Sequence, residues 1–326
     1  VNDGLNIALP EIAKGAGLDY ELCLSMGTVA GFVGVAMMLV IAKFRDRFGG
    51  RKVSAALFII FGFTFYFLFL RASNIVMYAI SQCIMVSCGQ GCFYLCTGPM
   101  QSDWFPKKRG VVNGISTIGA NIGTAILAPI MTTLLTMAEY KTSLSVFAVA
   151  AVVLGIFAYL TLRDDPLEAG MYPDNVTKEV YEKEYKNISK KDEYVSDWTI
   201  PKMLKCKEVW LAAMVPGFIT LGLLGIITQF VPRNVSLGLS QEVAISAMTV
   251  AGFVGITGSY AIGYIDTKIG TKKACMIYCA IFAVGIAFNL LASIWLPFVY
   301  VSILIVGFSL GGSTNMSLSF LSLIHI

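Results

Sequence analysis

Few residues of this chain have the type and spacing that acid, base or nucleophilic chemistry requires. The sequence has one histidine, His325, and no H-E-x-x-H pattern, and its G-x-S-x-G match at residues 307–311 lies inside a long apolar window, where the strand-to-helix turn of a hydrolase nucleophile is not expected. It also lacks the G-x-x-x-x-G-K-[ST] loop that binds nucleotide phosphates. These observations speak against an enzyme and against a protein driven by ATP.

One acidic residue stands within an apolar stretch near the start of the chain. Asp3 lies about ten residues before the polar end of that stretch, which in a helix is about 15 Å. A carboxylate at such a depth in a membrane is costly and usually functional. We therefore expect Asp3 to take up and release a proton or cation, unless the helix kinks and leaves it near solvent. Five uncharged side chains in apolar stretches are further candidates for coupling or for binding a solute: Asn6, Gln90, Asn113, Asn121 and Asn315.

The composition shows what kind of elements hold these residues. Apolar residues make up 56% of the chain and charged residues 13%, with a mean hydropathy of +0.74. Soluble domains have about twice that charge, so the composition is that of a membrane protein. A spanning helix needs about 20 apolar residues, and the charge-free windows predict nine complete spans after a partial first one. The windows are 22–42, 53–70, 72–102, 110–138, 142–162, 209–232, 243–265 and 274–326, the last containing two spans.

The basic residues predict how these spans are oriented. Most lysines and arginines fall in the loops after the second, fourth, sixth and eighth spans. By the positive-inside rule these loops are cytoplasmic, and residues 1–21 end outside. We expect a multi-pass protein of the cell (plasma) membrane whose charged central segment, 163–208, is a solvated cytoplasmic linker.

Cysteines in the fourth span raise the question of a metal site. Cys88, Cys92 and Cys96 share one helical face and could bind a soft metal. Small, soft residues also suit close helix packing in lipid, and this is the interpretation we adopt. We expect no metal, no cofactor and no nucleic-acid partner.

Two short loops have the same pattern. AKFRDRFGGRKV occupies residues 42–53, and GYIDTKIGTKKA occupies residues 263–274. Each places an acid, then a glycine, then paired basic residues between two spans, and Gly49 and Gly270 correspond. A glycine is needed where the chain turns sharply, and we expect Arg47, Arg51 and Lys52 to hold the turn at the cytoplasmic face and to pair with Asp46.

The first loop resembles the G-x-x-x-D-[RK]-x-G-[RK]-[RK] signature of the major facilitator superfamily. Asp46, Arg47, Gly49 and Arg51 match it, while Asp266 and Gly270 belong to a degenerate second copy. The resemblance implies an all-α polytopic membrane protein with two six-helix bundles. It also implies that the motif locks one side of the protein closed during a transport cycle.

The predicted organisation has three parts. Residues 1–162 form the N-terminal bundle, 163–208 the linker and 209–326 a partial C-terminal bundle. We expect truncation at both ends, because the sequence begins in mid-span and ends in LSLIHI. That hexapeptide is the translation of CTGTCTCTTATACACATC, a transposase end sequence used to fragment DNA, so residues 321–326 and His325 are set aside.

Two further segments suggest a solute. WFPKKRGVVNGISTIGANIG (104–123) and DDPLEAGMYPDN (164–175) resemble segments of the oxalate/formate antiporter and monocarboxylate transporter branches, which implies small organic anions. Those branches have an arginine in the eighth span, where this chain has Ser259 or Tyr260. The prediction is a monomeric secondary active transporter that moves a small organic anion by alternating access, coupled to a proton or counter-anion. The alternative is a solute sensor or scaffold that has this fold but does not transport.

Overall fold

The computed structural model describes residues 2–107, 109–185, 202 and 205–322, and every regular element in those ranges is a helix, as predicted. The side chains of Asp3, Asn6, Asn113 and Asn121 lie outside this description, and so do the predictions made for them. The long helices are α1 (Asn2–Ala16), α2 (Tyr20–Phe48), α3 (Gly50–Phe69), α4 (Ile75–Trp104), α5 (Arg109–Met137), α6 (Tyr140–Thr161), α7 (Lys207–Ser236), α8 (Gln241–Ile269), α9 (Thr271–Leu291) and α10 (Phe298–Ser322).

Among the described residues, eight helices are long and apolar enough to cross a membrane. They are all of the long helices except α1 and α5. The one complete predicted span that is not among these eight, 110–138, coincides with the 29-residue helix α5. The partial first span is the 15-residue helix α1.

Polar side chains cap several of the helices. Asp19 Oδ1 accepts the backbone N–H of Leu22 at 2.8 Å and thereby begins α2. Asn74 Oδ1 accepts the N–H of Met77 at 2.8 Å at the start of α4. Each bond satisfies one of the N–H groups that lack an intrahelical acceptor. The connections between these helices are therefore short and well defined.

The chain forms two compact units. The N-terminal unit contains Leu5–Lys107 and Met131–Lys190, and the C-terminal unit contains Val1–Gly4, Lys108–Ile130 and the residues from Lys191 onward. Most of α5 thus groups with α7 to α10, whereas its last turns group with α1 to α4 and α6. The division between the units crosses α5 and does not follow chain order.

Buried aliphatic and aromatic side chains fill the N-terminal unit. Ile12 of α1, Tyr78 of α4 and Leu144 of α6 are almost completely buried in one cluster. α3 and α6 approach closely, because a Cβ added at Gly62 would lie 2.7 Å from the carbonyl oxygen of Ala148. Small residues at a helix contact are typical of packing in lipid.

Contact between α8 and α10 is the closest in the C-terminal unit. A Cβ at Gly307 would lie 2.7 Å from the carbonyl oxygen of Ala251, and one at Gly258 would overlap the carbonyl oxygen of Phe308. The two backbones touch along a row of small residues. This contact fixes the position of the polar side chains that α8 and α10 carry.

Candidate functional site

A single residue joins α2 to α3. Gly49 has φ 84° and ψ 158°, a conformation that only glycine adopts readily. Its N–H donates to the carbonyl oxygen of Arg45 at 2.8 Å. The junction between α2 and α3 is therefore a single glycine with positive φ, as the predicted sharp turn requires.

Asp164, which follows α6, occupies the inside of this turn. Its Oδ1 accepts the backbone N–H of Arg51 at 2.6 Å. A Cβ at Gly49 would overlap the carboxylate, and one at Gly50 would lie 3.1 Å from Oδ1. The carboxylate thus lies at the amino end of α3, where the helix dipole favours negative charge. Sequence reasoning assigned Asp164 to the linker and missed this role.

Arg51 fastens the start of α3 to α6. Its Nε donates to the carbonyl oxygen of Tyr159 at 2.7 Å, and its guanidinium carbon lies 4.7 Å from the Tyr159 ring centroid. That geometry combines a hydrogen bond with a cation–π contact. Arg51 is therefore part of the packing between α3 and α6.

Asp46 has other neighbours than those predicted. Its side chain is 71% exposed and its ion-pair partner in the structure is the adjacent Arg45, at 3.5 Å. Arg47 lies over the ring of Phe48, 5.3 Å from the centroid. The expected pairing of Asp46 with Arg51 is wrong for this structure, because Arg51 already belongs to α3 and contacts α6.

The turn borders a polar cavity of about 280 Å³. Three carboxylates line it, from Asp46 of α2, Asp103 of α4 and Asp164 after α6, together with Arg45. Among the described residues, no group of three or more His, Cys, Asp or Glu side chains has a geometry that could hold a metal ion.

The second turn has the same backbone in different surroundings. Gly270 has φ 84° and ψ 153°, and its N–H donates to the carbonyl oxygen of Asp266 at 3.0 Å. Asp266 Oδ2 accepts the hydroxyl of Ser319 on α10 at 2.7 Å. Its Oδ1 is buried and has no hydrogen-bond partner within the described part of the chain. Asp266 therefore connects α8 to α10 and does not cap α9.

A buried polar network joins three helices of the C-terminal unit. Asn315 of α10 accepts the hydroxyl of Thr117 of α5 at 2.9 Å and donates to the carbonyl oxygen of Ser259 of α8 at 2.6 Å. The hydroxyl of Ser259 donates to the carbonyl oxygen of Gly311 at 3.0 Å. Both ends of the Asn315 amide are thus bonded to protein, and Ser259 is fully buried, whereas Tyr260 is 71% exposed.

Gln90 contacts α2 from a half-buried position on α4. A Cβ at Gly34 would lie 2.9 Å from Gln90 Oε1, so the amide lies directly against the α2 backbone. The wider π-helical turn Gly91–Thr97 begins immediately after it. Such turns are frequent at functional sites, and Gln90 stays a candidate.

The segment after α6 contacts the end of α4. Trp104 Nε1 donates to the carbonyl oxygen of Arg163 at 3.0 Å, and the N–H of Lys107 donates to Asp174 Oδ2 at 3.0 Å. Asp174 is 2% exposed. At these points the predicted linker is bonded to the N-terminal unit, because its aspartates accept hydrogen bonds from backbone N–H groups there.

Comparison with known proteins places these features in a family. The Major Facilitator Superfamily model matches residues 1–325. The uncharacterized MFS-type transporter YhjX of Escherichia coli K12 is 22% identical over 93% of this chain and 71% of its own length. Human monocarboxylate transporter 12 is 25% identical over 59% of this chain, and the matched part is 40% of that protein.

A solved structure shows the same fold. The structure of the proton:xylose symporter XylE superposes with a TM-score of 0.59 at 14% identity, over 97% of this chain and 77% of that one. At this identity the likeness concerns the fold alone. The family match along nearly all of the sequence, on a helical fold of this kind, shows that the chain belongs to the Major Facilitator Superfamily.

Proposed function

We propose that this chain is a secondary active transporter that moves a small organic anion across the membrane by alternating access. The family is one of transporters of small solutes, which supports the general activity. In alternating access, two helical bundles rock about a central binding site. Each bundle must therefore be stiff within itself while it moves against the other.

The matching turns at Gly49 and Gly270 are the observation that carries this proposal. Both have φ 84° and join two long helices through one residue. A repeat of this kind is typical of transporters built from duplicated bundles. In the proposed cycle the two turns lie at the cytoplasmic face, and the gating motif consists of Asp46, Arg47, Gly49, Arg51, Asp266 and Gly270.

Within that motif we assign the gate to Asp46. Asp164 accepts a hydrogen bond from the start of α3, and the side chain of Arg51 donates one to α6. The Asp46 carboxylate, in contrast, is 71% exposed beside a polar cavity. An exposed carboxylate can change partners between conformational states at small cost. It can therefore bias the equilibrium between those states without holding the fold together.

The proposed substrate class rests on similarity of sequence. The relative named monocarboxylate transporter 12 and the segments 104–123 and 164–175 favour an organic anion. Gln90 offers an amide group that can bind a carboxylate, whereas the Asn315 amide already bonds to Thr117 and Ser259. Asp3, Asn6, Asn113 and Asn121 remain candidates. We propose a proton or a counter-anion as the coupling ion.

Uptake by the purified full chain in liposomes tests the proposal. Vesicles loaded with unlabelled lactate, oxalate or glycerol 3-phosphate receive the labelled compound outside, with xylose as a neutral control. We expect accumulation of a labelled anion that depends on the same anion inside. Xylose exchange without anion exchange would overturn the substrate class. Saturable anion binding without any uptake would favour the sensor or scaffold alternative.

A further inference from the structure

The segment that follows α6 has a defined structure of its own. Asp165 Oδ1 accepts the N–H of Leu167 at 2.7 Å and begins a short turn. The rings of Tyr172 and Tyr181 then contact each other, with centroids 4.8 Å apart. We call residues 163–185 the docking segment. It is folded against the N-terminal unit, to which it belongs.

Asp174 is the unusual residue of the docking segment. Its φ is 55°, in the left-handed region, and Asn175 follows with φ 54°. Aspartate and asparagine tolerate this region better than other side chains, but it is still unfavourable. A carboxylate at 2% exposure is costly as well, unless hydrogen bonds compensate for lost water. The surrounding structure therefore imposes both conditions on Asp174.

The group that Asp174 binds lies at a junction. Its Oδ2 accepts the backbone N–H of Lys107 at 3.0 Å, and Lys107 Nζ forms an ion pair with Glu184 of the same segment. α4 ends at Trp104 and α5 begins at Arg109. The division between the two compact units falls directly after Lys107. The docking segment therefore holds the last residue before the chain passes from one unit to the other.

We propose that Asp174 is a positioning residue for the transport cycle, because it fixes Lys107 to the docking segment and so defines the point about which α5 pivots. This role rests on the proposed function, in which the bundles move against each other. With Lys107 fixed, the end of α4 keeps its place on the docking segment while α5 moves. Without that bond, the end of α4 moves with α5 and the two bundles are less well coupled.

Two substitutions of Asp174 separate the effect of its hydrogen bond from the effect of its left-handed backbone conformation. D174G and D174N both permit φ 55°, but only asparagine retains an acceptor for the Lys107 N–H. D165G is the matched control, since the side-chain bond that Asp165 makes in the described part of the chain stays within its own turn. Residues 107–109 are Lys-Lys-Arg, a trypsin site, so the rate of cleavage there in detergent-solubilised full chain reports how firmly the junction is held.

We expect D174G to raise the rate of cleavage at residues 107–109 by at least about fivefold, as loss of a hydrogen bond to a charged group predicts. D174N and D165G should stay within about twofold of the wild type. In liposomes D174G should lower the maximal uptake rate with an unchanged KM, because Asp174 does not touch substrate, and D174N should restore the rate.

Several outcomes would overturn the proposal. Equal cleavage of D174G and the wild type, or equal acceleration by D165G, would remove the role of the Asp174 bond. Loss in D174N as large as in D174G would mean that charge, not the hydrogen bond, matters. If D174G does not fold, hydrogen exchange of the Lys107 amide in the wild type replaces it; an amide that exchanges as fast as in an unfolded peptide is not held by Asp174, and that result would overturn the proposal. Cleavage needs no substrate, so a wild type that takes up no solute would instead refute the proposed function.

Discussion

The turns at Gly49 and Gly270 share a backbone conformation but not the same neighbours. At the first turn, the Asp164 carboxylate occupies the space where a Cβ at Gly49 would lie and binds the start of α3. At the second, a Cβ at Gly270 would meet nothing within 4 Å. The acid of the second turn, Asp266, binds Ser319 on α10 instead. The duplicated fold thus preserves the shape of the turn, while the side chains around each copy have separate roles.

Replacing each glycine by alanine gives the largest expected effect. Both substitutions force alanine into a region that is essentially restricted to glycine, at a cost of about 1–3 kcal/mol. G49A also drives the new methyl into Asp164, and overpacking adds about 1–3 kcal/mol. We therefore expect thermal unfolding in detergent to show G49A as less stable than G270A. An equal loss of stability in the two variants would mean that the Asp164 side chain moves aside at little cost and that the two turns do not differ in packing.

Removing the carboxylate sharpens the same comparison. D164A deletes the cap of α3 and should cost about 1.5–3 kcal/mol, as for hydrogen bonds to charged groups. In the G49A background the same change also relieves the overlap, so its cost should be smaller. In the G270A background the two costs should add, because the sites share no partner. Thermal unfolding of the three single and two double variants measures both couplings, and additivity with G49A would contradict the packing of Asp164 against Gly49.

Substitution of Asp46 and of Asp266, the acids of the two turns, should affect uptake to different extents. Asp46 is exposed, so D46N should change stability by less than about 0.5 kcal/mol. If Asp46 biases the gate, uptake per folded protein should fall about five- to tenfold, a coupling of roughly 1–1.4 kcal/mol. D266N should instead leave uptake nearer to the wild type, since an amide oxygen can still accept from Ser319. Parallel loss of folded protein and uptake in D46N would refute its gating role.

The sequence predicts those features of the structure that are determined by residues close together in the chain. Charge-free windows predict the helices, and the glycine demanded by a one-residue turn predicts Gly49 and Gly270. Contacts between distant residues leave no such pattern. Arg51 and Asp164 lie 113 residues apart, and Thr117 and Asn315 lie 198 apart. For this reason the sequence alone places Asp164 among the charged residues of the linker, although it caps α3.

The pairing expected for Asp46 fails for a related reason. Opposite charges near each other in sequence suggest an ion pair, but the turn places Arg51 on the next helix, where Tyr159 offers a carbonyl oxygen and a ring. A surface ion pair contributes at most about 1 kcal/mol. In the structure Arg51 is held instead by its hydrogen bond and its ring contact with Tyr159 of α6.

Ser319→Ala is the smallest expected effect and tests the second turn alone. It removes the hydroxyl that donates to Asp266, and hydrogen bonds between membrane helices contribute about 0.6 kcal/mol on average. We expect S319A to lower the stability of the folded protein by about this amount, measured by thermal unfolding. S317A, on the same helix, should have less effect because Ser317 does not bond to Asp266. In a D266A background the S319A cost should be smaller, since this acceptor is gone. An undiminished cost there would show that Ser319 stabilises α10 through its other contacts alone, and the acid of the second turn would then lose its assigned role in joining α8 to α10.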